Sequence, residues 1–212
     1  MDKPIVMKGE PITRVLAYLS KKYPRCKATI QSSRQIPKFV AFKQADWGLA
    51  GDCSITSIAS VLYNAWFAER GATHDFSYIY DVVEANGFEW GYNGDMGTKA
   101  YAIRTIFNKA AKEIGVSARA KSHYGKGVLW NFETAKKQIN KGKSAILSFK
   151  DDGRDYYGAH SITVIGYAEY KVVTEAGETK IEKFFAVKDN WKTETRWVDY
   201  DLIDFVSSLH TY

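Results

Sequence analysis

Gly51-Asp52-Cys53-Ser54-Ile55-Thr56-Ser57-Ile58-Ala59-Ser60-Val61-Leu62-Tyr63-Asn64-Ala65-Trp66-Phe67 is the stretch on which the fold turns. Ile55, Ile58, Ala59, Leu62 and Trp66 recur at the three-and-four spacing of one helical face, which predicts a helix over 52–67. Asp52 stands where an N-cap is expected. Cys53 falls in the first turn, at the positive end of the helix dipole, a setting that lowers a thiol pKa and favours thiolate. It projects with Ser57, Ser60 and Asn64, away from the apolar stripe. Cys53 is therefore either a nucleophile or a small buried thiol of the common structural kind.

Outward from this helix, the first half of the chain is helical. Glu10-Pro11 has proline where a helix begins, and Ile12, Val15, Leu16 and Leu19 continue one stripe. Residues 24–43 lack a helical period and predict an extended lead-in. Residues 75–86 carry Phe76, Ile79, Tyr80 and Val83 at helical spacing, with Gly87 as the stop. Residues 88–97 form a glycine-rich loop whose Trp90 and Tyr92 either line a substrate cleft or belong to a plain surface loop. A third long helix is expected over 98–114, with Tyr101, Ile103, Ile106, Phe107, Ala110 and Ile114 apolar and Gly115 after it.

The second half changes character. A short helix over 132–141, closed by Gly142, precedes strand-like runs at 145–149, 160–167 and 184–191. Residues 168–183, with Gly177 in a polar turn, read as a hairpin linker. A helical half followed by a strand-rich half predicts an α+β fold with a cleft between lobes. One domain is expected over 1–212, as an arm (1–40), a helical lobe (41–130) and a β-rich lobe (131–212).

Length and composition agree with this. At 212 residues, 45% hydrophobic and 25% charged, the chain can bury a core without disulfide staples, which excludes disorder and a disulfide scaffold. No apolar run is long enough to span a membrane. No apolar stretch follows Met1-Asp2-Lys3-Pro4, so no signal peptide is expected; a mature secreted form would begin the same way, and the compartment stays open. The net charge is +6, yet Lys and Arg are scattered with no basic block, and no nucleic-acid module signature appears. The expected partner is a peptide or protein substrate, with no nucleic acid; the oligomeric state stays open.

The remaining candidates are His160, Asp189 or Asn190, and Gln44. His160 opens an apolar strand after a glycine turn, and alternation places it with Ile162 and Val164. It is either the base paired with Cys53 or a satisfied, partly buried histidine. Within Val187-Lys188-Asp189-Asn190-Trp191, Asp189 shares its face with Phe185, Val187 and Trp191, whereas Asn190 shares one with Lys188 that should be solvated. Asp189 is thus the better orienter of the imidazole; Asn190 could serve only if a bulge or strand end broke the alternation. Gln44, nine residues before Cys53, could donate to an oxyanion beside the Cys53 N–H. His74, His123, His210 and Cys26 have no comparable setting. No zinc-type spacing surrounds Cys53 or His160, and no phosphate-binding glycine motif is present, so neither metal nor cofactor is expected.

The ordered set resembles papain-like cysteine peptidases, and most closely stand-alone bacterial relatives of the bacteriocin-processing (double-glycine) peptidases. Gly51–Ser57 is similar to the nucleophile segment, residues 132–149 to the helix-glycine-strand before the histidine, and 158–167 to the histidine strand. Residues 187–191 are similar to the papain I-K-N-S-W stretch, a match that puts Asp189 in the orienting place. The resemblance covers about residues 40–200 and implies a two-lobed fold. It also implies acyl transfer by Cys53, with His160 as general acid/base, Asp189 as orienter and Gln44 at the oxyanion, and Trp191 shielding the His-Asp pair. The alternatives are an NlpC-type cell-wall amidase, suggested by Asp52-Cys53-Ser54, a transglutaminase-like acyl transferase, and a non-catalytic binding module.

Overall fold

The computed structural model describes residues 12–46, 51–72, 74–150 and 157–212. Helices α1 (Val15–Lys22), α2 (Cys53–Arg70), α3 (Phe76–Trp90), α4 (Ala100–Ile114) and α5 (Phe132–Asn140) combine with an antiparallel sheet, giving the α+β class. The sheet strands are β1 (Lys27–Gln35), β4 (Lys121–Tyr124), β5 (Ala145–Ser148), β6 (Ser161–Val173), β7 (Thr179–Lys188), β8 (Arg196–Asp199) and β9 (Ser208–Thr211). Their order is β4-β9-β5-β6-β7-β8, and β1 lies beside the distal half of β6. A two-stranded ribbon, β2 (Tyr92–Asn93) and β3 (Gly97–Thr98), follows α3.

Strand alternation explains the layers. On β5, Leu147 joins Ile162, Val164, Phe185 and the α5 residues Phe132, Ala135 and Ile139 in one core. Its neighbour Ile146 faces the other way and joins the α2–α3–α4 core. The sheet is therefore covered by the helical lobe on one face and by α5 on the other. Helix α1 closes the distal part of the sheet, packing Ile12, Val15 and Leu19 on Val172 and Phe184. Its Lys22 ammonium lies 2.6 Å from Glu182 and 2.9 Å from Asp199. Those two carboxylates and Asp201 form the one acidic cluster of metal-binding dimensions among the described residues, and the Lys22 ammonium already occupies two of its three carboxylates.

Several boundaries differ from expectation, each for a tertiary reason. The proline start of the first helix, at Glu10-Pro11, lies outside the described residues. Within the extended lead-in, Lys27–Gln35 form strand β1. Helix α3 runs through Gly87 because a bare Cα is needed there: a Cβ would stand 2.6 Å from Ile55 Cδ1. Tyr101, placed in the apolar stripe of α4, is 65% exposed. The presumed linker 168–183 is mostly sheet, since β6 and β7 pair from Thr163↔Lys188 to Val173↔Thr179, leaving a short turn. At Gly166 the β1 backbone comes close: a Cβ would meet Arg34 O at 2.6 Å. Strands β4, β8 and β9 were not anticipated. Their sequences, KSHY, RWVD and SLHT, lack the apolar run that marks the equally short β5, AILS.

Buried on β9, His210 sits between Ser122 Oγ (Nδ1, 2.8 Å) and Ser208 Oγ (Nε2, 3.1 Å). Burial, reinforced by His123, pulls its pKa down to about 3. Because the folded value lies below the ordinary 6.5, the neutral ring contributes stability that is complete above pH 6.5. That contribution is lost as pH falls toward 3. The expected loss between pH 6.5 and 4.5 is about 2–3 kcal/mol. His210→Gln, which keeps polar atoms between the two hydroxyls, should flatten this part of the urea-midpoint profile; an unchanged acid slope would refute the assignment.

Candidate active site

The nucleophile turn is built by glycine. Gly51 has φ +66°, and its Cβ position lies 3.0 Å from Gly97 Cα and N, so the β2–β3 ribbon backs directly onto the start of α2. Of the loop expected to line a cleft, Gly94–Gly97 is the part that reaches this turn. Tyr92 is buried, and Trp90 lies under the Lys109 ammonium at 4.6 Å.

Asp52 precedes α2 without capping it through its side chain. The carboxylate is wholly buried and accepts from Gln44 Nε2 (2.9 Å), Thr56 Oγ1 (2.9 Å) and Tyr80 OH (2.6 Å). Its neighbour Cys53 is buried, as is almost every residue of the first three turns of α2, so the polar side of this helix faces protein rather than water. That side meets β6: Ser54 Oγ bonds Ser161 Oγ at 2.8 Å, and Ser57 Oγ donates to Ser161 O at 3.3 Å.

The expectation of a lowered thiol pKa is corrected here. Burial pushes the Cys53 thiol above its ordinary value, and the Asp52 charge adds to this; hydrogen bonds from Ser161 and Ser54 oppose it without reversing it. The helix dipole is offset because a carboxylate sits at the same helix end. His160, also buried, is pulled below 6.5 by desolvation, against the pull of Asp189 and Asp52. Both groups therefore rest neutral near pH 7. Iodoacetamide labelling of Cys53, followed by mass mapping, should rise only at pH above the usual thiol range. Fast labelling below pH 7 would show a resting ion pair instead.

His160 is held in one tautomer. Its Nε2 lies 2.8 Å from the Asp189 main-chain oxygen, and a carbonyl can only accept, so Nε2 carries the proton and Nδ1 keeps the lone pair. The ring stacks on Trp191 (4.5 Å) and Tyr157 (5.4 Å). Trp191 is 42% exposed and covers the imidazole from solvent.

Asp189 is buried on the face that strand parity assigns it, but its carboxylate does not contact the imidazole. It accepts from Arg196 Nη1 (2.7 Å) and from the Trp191 and Lys192 N–H groups (3.2 Å each). Arg196 was missed in the sequence. The signal is the β7–β8 register, which pairs it with Val187, two residues from Asp189.

Asn190 was expected to be solvated with Lys188. It is instead 1% exposed, because β7 ends at Lys188 and Asn190 adopts φ +65°, turning its side chain inward. Its Nδ2 lies 2.9 Å from Cys53 O, 2.8 Å from Ser57 Oγ and 2.9 Å from Ser161 O. Gln44 enters the same cluster: its N–H donates to Asn190 O at 2.9 Å, and one amide hydrogen goes to Asp52. The second Nε2 hydrogen is left available at the start of α2. Cys26, set apart in sequence, is a free, half-buried thiol on α1's packing surface, as Cys53 is a free thiol here.

The cluster thus contains a thiol at a helix start, an imidazole with a free Nδ1 lone pair one residue from the thiol's Ser161 contact, and amide donors beside both. Residues 36–208 match the model of the Peptidase_C39 like family. No curated protein matches the chain.

Proposed function

The chain belongs to the Peptidase_C39 like family, a relationship that supports cysteine peptidase activity of the papain-like kind, and from this premise we propose that it hydrolyses peptide bonds through Cys53. In this reading it is related to the bacteriocin-processing peptidases. The observation that carries the proposal is the Asn190 side chain, which bonds both the Cys53 carbonyl and the Ser161 carbonyl. It ties the start of α2 to Ser161, the first residue of β6 and the neighbour of His160.

As the substrate carbonyl arrives, the Cys53 proton passes to His160 Nδ1 and Sγ attacks the carbonyl carbon. The tetrahedral oxyanion is received by the Cys53 N–H and the second Gln44 amide hydrogen, a contribution of about 3–4 kcal/mol per donor. Nδ1 then returns its proton to the leaving amine, releasing it and leaving a thioester. Water, deprotonated by the same nitrogen, hydrolyses the thioester and regenerates the thiol. The Asp189 carbonyl keeps Nε2–H fixed throughout, while Arg196 holds the Asp189 carboxylate and with it the turn.

Acid quenching during turnover of a peptide library, followed by mass mapping, should find an acyl adduct on the Cys53 peptide and on no other. Cleavage confined to peptidoglycan would instead favour the cell-wall amidase, and incorporation of an added amine the transferase. Absence of any adduct would favour the binding module.

A further inference from the structure

Helix α4 and the extended segment after it, 115–121, enclose an open groove of about 900 Å³. Arg104, Asn108, Lys109 and Lys112 face it from one side of α4. In the segment, Val116, Ala118 and Ala120 are buried, whereas Ser117, Arg119 and Lys121 point outward by strand alternation. Arg104, Lys109, Lys112, Arg119 and Lys121 are all exposed, and no acidic residue lines the groove. Among the described residues none of these five forms an ion pair; Lys109 also rests on Trp90. Together the five place a charge of +5 on a groove whose lining holds no carboxylate. All five lie within residues 104–121, and the turn after α4 sets the two groups on facing sides of the groove.

The groove is remote from Cys53. Gly115 and Ser117 bond Arg70 and Glu69 at the far end of α2, which has 18 residues and is therefore roughly 27 Å long. Its backbone is already satisfied at the centre, where Asn108 bonds both Ala120 N (2.7 Å) and Ala120 O (3.4 Å). Recognition is left to the charged side chains. On α4 the cations stand at 104, 109 and 112, with neutral Asn108 between Arg104 and Lys112; opposite them Arg119 and Lys121 alternate on the segment at roughly 7 Å, the separation of alternate carboxylates on an extended acidic chain. No aromatic side chain lines the groove to stack a nucleobase, which disfavours a single-stranded nucleic acid.

We propose that this groove docks an extended acidic polypeptide segment. This goes beyond the chemistry proposed for Cys53 and does not depend on it. The test uses Cys53→Ala protein, so that no probe is cut, with fluorescein-labelled octaglutamate followed by anisotropy at low salt. Reversing the groove with Arg104→Glu, Lys112→Glu and Arg119→Glu should weaken binding roughly tenfold or more. An equal reversal elsewhere, Lys21→Glu, Lys27→Glu and Lys171→Glu, should change it less than about twofold. The corresponding glutamine triple in the groove should weaken binding in the same sense, and equal melting temperatures guard against misfolding. No binding by the parent, or equal losses in both reversals, would overturn the proposal. Groove-dependent binding of oligothymidylate or polyphosphate tighter than that of octaglutamate would overturn it in favour of a phosphate polymer.

Discussion

Cys53→Ala should lose peptide cleavage by at least about 10³-fold in kcat while folding normally, because the substitution removes the only sulfur in the cluster and little else. The side chain is small and buried, and alanine is a good residue for the first turn of a helix. The anchors that seat this turn do not involve the thiol. Asp52 keeps Gln44, Thr56 and Tyr80, and Asn190 keeps the Cys53 main-chain oxygen. The urea midpoint should therefore correspond to a change of no more than about 1 kcal/mol. Hydrolysis at the wild-type rate by the purified variant would sink the mechanism. Loss of activity together with collapse of the midpoint would mean that the thiol holds the structure and would leave no separate case for catalysis.

Arg196→Met should be the most damaging single change outside the core. Asp189 has no solvent access, and Arg196 is the only cation paired with its carboxylate among the described residues. Removing one member of a buried pair leaves an uncompensated charge, which commonly costs 3–5 kcal/mol. Here two main-chain N–H groups remain on the carboxylate and the arginine is slightly exposed, so about 2–4 kcal/mol is expected. The same variant should lower kcat, since the turn it loosens carries the carbonyl on His160 and the Trp191 ring over it. Adding Asp189→Asn to Arg196→Met removes the orphaned charge and should recover most of the stability. If the double variant is as unstable as the single one, the loss comes from packing and the electrostatic account fails.

The legible parts of this protein are those with a period or a local signal. The α2 stripe, the Gly115 stop of α4 and the Phe132 helix with its Gly142 follow from spacing and glycine placement. Cys53 at a helix start and His160 at a strand start were visible for the same reason. Asn190 was assigned the wrong environment, because parity holds only while the strand continues and its positive φ is a tertiary outcome. The role of Asp189 shifted in a related way. Parity places the residue but does not say whether its carboxylate or its carbonyl meets the imidazole, and Arg196 on β8 claims the carboxylate. The thiol's electrostatics were misjudged because a helix dipole is local, whereas burial and the Asp52 hub are not.

By itself, then, the sequence determined the α+β class and placed the candidate residues Cys53 and His160 at a helix start and a strand start, since these rest on short-range periodicity and residue type. Only the tertiary structure decided which polar atoms meet. Strand register brings Arg196 to Asp189, the end of β7 turns Asn190 onto α2, and packing of α4 against the segment before β4 sets the cations of residues 104–121 around one groove. Asn190 meets Cys53 across 137 positions, whereas the other two arrangements join nearby residues; none of the three leaves a period to be read, and each is settled only when the core closes.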